Sequence, residues 1–261
     1  VEPWHGTEVN VTLPPCYVMV GFGARAAYET DVTTMHVWAR PILPDGTLEP
    51  SLATGWDIGD DGLTYTFALR SGVTFEDGSS FDADDVVFTF ERLVSEGSSI
   101  VGLMGQNDDG SATWSVRAVD DLTVEFELEQ PNADFLYGVA SRFALVLSSE
   151  SGDVNMIAGD DDPYANFNGT GPFILEEYAP DQRAYFVANE DYWGGAPQID
   201  GVELILFDDN QSQLDAFRAG TLDFIMKVPQ DLLATLERVE GATVVNKPTN
   251  THPIVRLRVD E

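Results

Sequence analysis

Leu63, Tyr65, Phe67 and Leu69 alternate with Thr64, Thr66, Ala68 and Arg70, the period-two pattern of a half-buried strand. Ser71-Gly72 turns the chain, 73–75 predicts a short continuation, and Asp77-Gly78 turns it again. Asp82-Ala83-Asp84-Asp85 then opens a helix. Asp82 is placed to cap free amides, while Asp84 and Asp85 sit where the helix dipole favours negative charge. Val86, Val87, Phe90, Leu93 and Val94 are its predicted buried stripe. Segments 113–118 and 122–128 predict a hairpin around Asp120-Asp121, with Val124, Phe126 and Leu128 inward and Glu125, Glu127 and Glu129 outward. Residues 132–140 predict a short helix, and the apolar run 143–147 a fully buried strand.

The last third keeps a coarser rhythm. Strands are predicted at 173–178, 185–188, 202–207, 222–225 and 242–245, with helices at 210–219 and 230–239; Gly220 closes the first helix as a left-handed cap. Residues 254–259 alternate like a further strand. In the first forty residues, 9–13 reads as a strand stopped by Pro14-Pro15, 17–20 resumes it, and 33–42 predicts a short helix. Strands and helices mix throughout, which predicts an α/β or α+β class with a mixed sheet.

Charge narrows the function. Among 261 residues, 27 Asp and 18 Glu face 11 Arg and 2 Lys, a formal net charge of −32. That field repels phosphate backbones and anionic lipid, so nucleic acid is not an expected partner. With 43% hydrophobic and 11% aromatic residues the chain can still build a core. Scarce Lys and an excess of Asp suggest a salt-rich milieu, where screening tolerates such charge; a generally acidic extracellular protein is the alternative. No window reaches the roughly 18 consecutive apolar residues of a membrane span. No export signal is expected within the chain.

Little catalytic chemistry is legible. Cys16 stands alone, so neither an internal disulfide nor a multi-cysteine metal site is expected. His5, His36 and His252 are scattered, and no cofactor or metal is expected. Asp160, Asp162, Tyr164, Asn166 and Asn168 fall on alternate positions like a calcium loop, but Ala165 and Gly171 occupy places needing Gly and Glu. A solvated acidic loop is the better reading. Asn10-Val11-Thr12 and Asn168-Gly169-Thr170 match the short glycosylation pattern.

A longer ordered series is more specific. It runs Leu52-Ala53-Thr54-Gly55-Trp56, Asp60-Asp61-Gly62-Leu63-Thr64-Tyr65-Thr66-Phe67, Leu69-Arg70-Ser71-Gly72-Val73-Thr74-Phe75, Asp77-Gly78 and Asp84-Asp85-Val86-Val87-Phe88. It continues through Val119-Asp120-Asp121-Leu122-Thr123-Val124, Gly169-Thr170-Gly171-Pro172-Phe173, Asn189-Glu190-Asp191-Tyr192-Trp193-Gly194-Gly195 and Phe217-Arg218-Ala219-Gly220-Thr221-Leu222-Asp223. From about residue 45 to 225 this series resembles the family 5 extracellular solute-binding proteins, the peptide, nickel and oligosaccharide group of ABC importers. The residues themselves read as scaffold: turn glycines, core aromatics and a Tyr-Trp plug above Gly194-Gly195.

The resemblance implies a type II periplasmic-binding-protein-like fold of which this chain is lobe one. Residues 1–44 and 170–261 would form its core and 45–169 an inserted subdomain, with the second lobe and a C-terminal return segment absent. It implies an extracytoplasmic, monomeric, non-enzymatic receptor that captures a solute, closes about a hinge and delivers the solute to a membrane permease. An oligopeptide is the leading ligand, then an oligosaccharide, then a metal chelate. Rivals are an acidic extracellular hydrolase and a sensory module on the same fold. By position, Phe22, Tyr28, Glu29 and Trp38 are ligand candidates near the first strand and its helix, and Met104 and Gln106 lie on a Gly-rich rim loop. Arg142 is a rare cation able to pair with a carboxylate. For each, a structural role competes.

Overall fold

The computed structural model describes residues 18–23, 48–141, 144–151, 168–179, 181–225 and 230–242. Two sheets organise them. One has five strands in the order β6-β7-β8-β1-β9 and the other four in the order β2-β3-β5-β4. In chain order the strands are β1 Val18–Gly23, β2 Ala53–Ile58, β3 Thr64–Leu69, β4 Trp114–Asp120, β5 Thr123–Leu128, β6 Phe173–Ala179, β7 Arg183–Ala188, β8 Gly201–Phe207 and β9 Phe224–Ile225. The helices are α1 Ala83–Ser95, α2 Ser99–Met104, α3 Phe135–Val139, α4 Asn210–Arg218 and α5 Gln230–Leu236.

The four-stranded sheet is antiparallel throughout. Its alternation puts Tyr65, Phe67 and Leu69 on the same buried face as Val124, Phe126 and Leu128. Helix α1 covers that face through Val86 and the fully buried Phe90, whose ring stands edge-on to Phe126 at 5.0 Å. Phe135 of α3 completes the aromatic stack, 5.4 Å from Phe126 and 4.7 Å from Tyr65. Asp82 caps α1 by accepting from the Asp84 amide at 2.9 Å, and Asp85 answers by accepting from the Asp82 amide at 2.9 Å, a reciprocal capping box.

The α1 stripe differs from expectation at its polar members. Asp85 and Thr89 are buried, because each bonds a segment some sixty residues away. The Asp85 carboxylate accepts the Ser149 amide at 2.7 Å, and Thr89 Oγ1 accepts the Leu147 amide at 3.0 Å. The same bonds correct the reading of 143–147. Ala144, Val146 and Leu147 are buried as predicted, but residues 144–148 form no strand; a side chain of α1 takes the place of a neighbouring ladder. Residues 73–75 contribute only an isolated bridge, Thr74 to Ser80. Gly62 and Gly78 take the positive φ their turns require, 70° and 86°.

The five-stranded sheet is mixed. β6, β7 and β8 pair antiparallel, whereas β1 runs parallel to both β8 and β9. Its small core joins Ala184, Phe186, Val202 and Leu204. The crossover from β8 through α4 to β9 places β1 between the two strands it connects. Asp209 caps α4, accepting from the Ser212 amide and hydroxyl, each at 2.8 Å. Gly220 closes it at φ 72°. The expected strands near 9–13, 242–245 and 254–259, and the helix at 33–42, fall wholly or mainly outside the described residues.

The sheets meet through named contacts. The Glu76 amide donates to Gly169 O at 3.0 Å and the Asp77 amide to Asn168 Oδ1 at 3.2 Å. Arg70, beyond β3, lays its guanidinium over Trp193, which packs on the larger core. Asn168 and Thr170 are 8% and 9% exposed, so that glycosylation pattern is buried as scaffold.

Candidate functional site

In open α/β sheets ligands gather outside the carboxyl ends of parallel strands, where helices depart and backbone groups are unpaired. Here that edge is the end of β8, β1 and β9. Phe22 lies one residue before the end of β1, in register with Leu206 of β8. Beyond β8 come the exposed Asp208 and Asp209. Hydrogen bonds from Ser212 hold the Asp209 carboxyl below its usual range, so this group is committed to capping α4. One turn further, Gln213 is 1% exposed and its Nε2 has no hydrogen-bond partner among the described residues.

Met104 and Gln106, expected on one Gly-rich loop, are separated by the structure: Met104 ends α2 and Gln106 lies two residues beyond it. Met104 is 1% exposed and fits against Gly138 of α3, where an added Cβ would come 2.4 Å from its Cγ. Gln106 is exposed and its amide donates to Gly110 O at 2.8 Å, closing the loop's own turn. Neither belongs to the five-stranded sheet that holds Phe22. Tyr28, Glu29, Trp38 and Arg142 lie outside the described residues, as does the acidic loop 160–167. Among the described residues no three His, Cys, Asp or Glu side chains group as metal ligands.

A second feature was not legible in the sequence. An apolar recess of about 30 Å³ opens between β2, β3 and α3, walled by Ala53, Trp56, Phe67, Leu136 and Ala140. Ser51 lines it too, 2% exposed, its hydroxyl without a partner among the described residues. Two alanines on elements more than eighty residues apart leave this space, and only the fold brings them together.

The dominant perturbed group lies at the junction of the sheets. Burial pushes the Glu76 carboxyl up to about 8; a backbone hydrogen bond with Gly169 opposes this and the Asp77 charge adds to it. Burial also raises Asp85, against the hydrogen bonds it accepts. Both positions tie scaffold segments together, and neither lies on the parallel strand edge.

A mixed sheet with parallel central strands beside an antiparallel one is the architecture of the type II periplasmic binding proteins, which the structural neighbours share. The peptide-bound binding protein DppA of Helicobacter pylori aligns with a TM-score of 0.69 at 26% identity, over 86% of this chain and 49% of that one. The nonapeptide complex of AppA from Bacillus subtilis aligns with a TM-score of 0.70 at 26% identity, over 86% and 46%. The family model described as bacterial extracellular solute-binding proteins, family 5 middle, matches residues 47–260, and the chain belongs to that family. A di/tripeptide-binding protein of Pseudomonas aeruginosa is 38% identical over 194 residues, 67% of this chain and 36% of the relative. The dipeptide-binding protein of Escherichia coli is 40% identical over 171 residues, 59% and 32%. The chain thus spans under half the length of these relatives. Among the described residues no helix is long and apolar enough to cross a membrane.

Proposed function

We propose that this chain forms the first lobe of an extracytoplasmic, non-enzymatic receptor that captures a short peptide for the permease of an ABC importer. The observation that carries the reading is the parallel trio β8-β1-β9, whose carboxyl ends lie together at one edge. Peptide ranks first because the relatives named above bind peptides. The proposed lobe combines 1–44 with 170–261 as its core and 45–169 as a subdomain. The segregation of β1 and β6–β9 from β2–β5 into separate sheets supports that division. Phe22 is the ligand candidate on the trio itself; Tyr28, Glu29, Trp38 and Arg142 remain proposed companions, with Gln106 as a rim, while Met104 is packed into the core.

A single lobe has no opposing wall to close, so its affinity is low and rises when a second lobe is joined to it. Titration calorimetry with di- and tripeptides, maltooligosaccharides and a nickel–histidine chelate tests the ligand class. Heat from peptides alone is the expected result; binding of only sugar or chelate overturns the peptide reading. Equal peptide affinity for this chain and for a two-lobed version overturns the lobe reading. Hydrolysis of any panel member replaces receptor with enzyme.

A further inference from the structure

β2 is an edge strand: β3 pairs with one side of it, and no strand pairs with the other among the described residues. Past the bulge at Ala53 and Gly55 its register with β3 is regular through Ile58. The free side therefore offers a run of backbone donors and acceptors open to a further strand. The two faces of that run differ. Trp56 and Ile58 stand opposite the buried Phe67 and Tyr65 and share their face, whereas Asp57 stands opposite Thr66 on the outer one. Ile58 is nonetheless 48% exposed and Trp56 half-buried, a cost to apolar side chains that a neighbour on the free side would remove.

The recess lies along the same face. Its open wall, made by Ala53, Trp56, Leu136, Val139 and Ala140, is almost wholly apolar, and the Ser51 hydroxyl is closed off behind it. Such a wall does not hold a water, which needs about three hydrogen bonds. Its volume of about 30 Å³ suits the end of an aliphatic side chain and not a ring, which takes roughly 150 Å³. Glu49 at the rim and Asp57 on the opposite face are both exposed, in a chain of net charge −32. An occupant with positive charge beside its apolar residues complements both features. In strand addition, backbone bonds hold an extended segment while its alternate side chains read the two faces.

We propose that β2 is a docking edge for an extended cationic segment of a partner protein, which adds a strand to the antiparallel sheet: aliphatic side chains face the recess, and Lys or Arg at the alternate positions face Asp57. The captured solute is a different occupant, since this edge belongs to the antiparallel sheet and Phe22 to the other one. The docking edge stands independently of the receptor function proposed above.

The blocked peptide Lys-Val-Lys-Val-Lys carries the required alternation, and Lys-Lys-Val-Val-Lys has the same composition without it. Titration of the chain, followed by amide shifts and hydrogen exchange, should show the first binding about ten-fold more tightly, the worth of a buried aliphatic anchor. Protection should centre on the amides of β2. Methylating every backbone amide of the peptide should abolish binding. Ala53→Leu fills the recess and should weaken the alternating peptide about ten-fold; Ala140→Val serves if that variant melts early. Asp57→Asn should weaken it about three-fold, the worth of one exposed ion pair. Equal binding of the two peptides reduces the effect to diffuse attraction by the net charge and overturns the proposal. Protection centred on β1 or β4, or an affinity that filling the recess leaves unchanged, overturns it as well. Protection of β2 that grows with protein concentration and needs no peptide makes a second copy the occupant, which also overturns it.

Discussion

The guanidinium carbon of Arg70 lies 4.5 Å from the centroid of the Trp193 ring, while its Nε donates to Ser51 O at 3.1 Å. One cation therefore ties the end of β3, the segment before β2 and the loop after β7. Arg suits this place because its planar group stacks and donates at once, which an ammonium cannot reproduce. Arg70→Met should lower stability by about 1–3 kcal/mol, adding a cation–π contact to a lost hydrogen bond. Arg70→Lys should recover less than half. Urea denaturation followed by tryptophan emission measures both; wild-type stability in Arg70→Met would show that the contact carries nothing.

Glu76 sets a pH dependence. Its folded value of about 8 lies above the ordinary 4.5, so its contribution is fully present below about pH 4.5. It is lost as pH rises through 8, because the folded chain must then ionise a buried carboxyl. Glu76→Gln removes that penalty. The variant should match wild type near pH 5 and exceed it by a few kcal/mol, to order of magnitude, at pH 9. Denaturation midpoints between pH 5 and 9 check this; parallel curves for the two proteins would remove Glu76 as the cause.

Asp85 is both the reciprocal member of a capping box and the acceptor for the Ser149 amide. Asp85→Ala strands two amides in one step and should cost about 2–4 kcal/mol, against roughly 1 kcal/mol for Asp82→Ala at the exposed end of the same box. Thermal melts of the two variants settle the order. A larger loss in Asp82→Ala would mean that the tie to Ser149 is unimportant.

Gly138 faces Met104 so closely that a methyl group there would lie 2.4 Å from Met104 Cγ. Gly138→Ala should destabilise by about 1–3 kcal/mol through overpacking, although alanine is the better helix former. Pairing it with Met104→Ala should restore part of the loss, since the second change opens the space the first one fills. Additive losses in the double variant would deny the contact.

These positions show what was legible in the sequence. Strands β3 and β5 follow from strict alternation, and α1 from Asp82 and its apolar stripe, because both signals lie within a few residues of each other. The scaffold motifs around Asp61-Gly62, Asp77-Gly78 and Tyr192-Trp193 hold the places their turn chemistry and ring size suggest. Burial of Ala144, Val146 and Leu147 was legible as hydrophobicity, but their lack of strand pairing was not, since Thr89 supplies the bond from a distant helix. Thr89, Asp85 and Ser51 are polar residues whose burial depends on partners, or on missing partners, that no local pattern contains. For the candidate site, the sequence brings Phe22 only near the first strand, read as 17–20; its place within β1, between β8 and β9, comes from the fold. The recess was not legible, because nothing in the sequence pairs Ala53 with Ala140.

The acidic surface carries the last prediction. The chain holds 45 acidic against 13 basic residues, and several bases are already engaged: Arg92 with Glu96, Arg117 with Glu125, Arg183 with Glu177 and Glu203, and Arg218 with Asp215. With 13 bases to 45 acids, one-to-one pairing can neutralise only a minority of the carboxylates, and the remaining like-charge repulsion acts on the compact state more than on the extended one. Screening shortens its reach from about 10 Å at 0.1 M salt to about 3 Å at 1 M. The melting temperature should therefore climb by several degrees or more between 0.1 and 1 M KCl, with most of the rise below 0.5 M if screening is the cause. Equal rises in KCl and NaCl support charge screening, whereas a rise in sulfate alone points to exclusion of salt from apolar surface. A melting temperature that does not move between 0.1 and 1 M KCl removes salt dependence from the account of this charge.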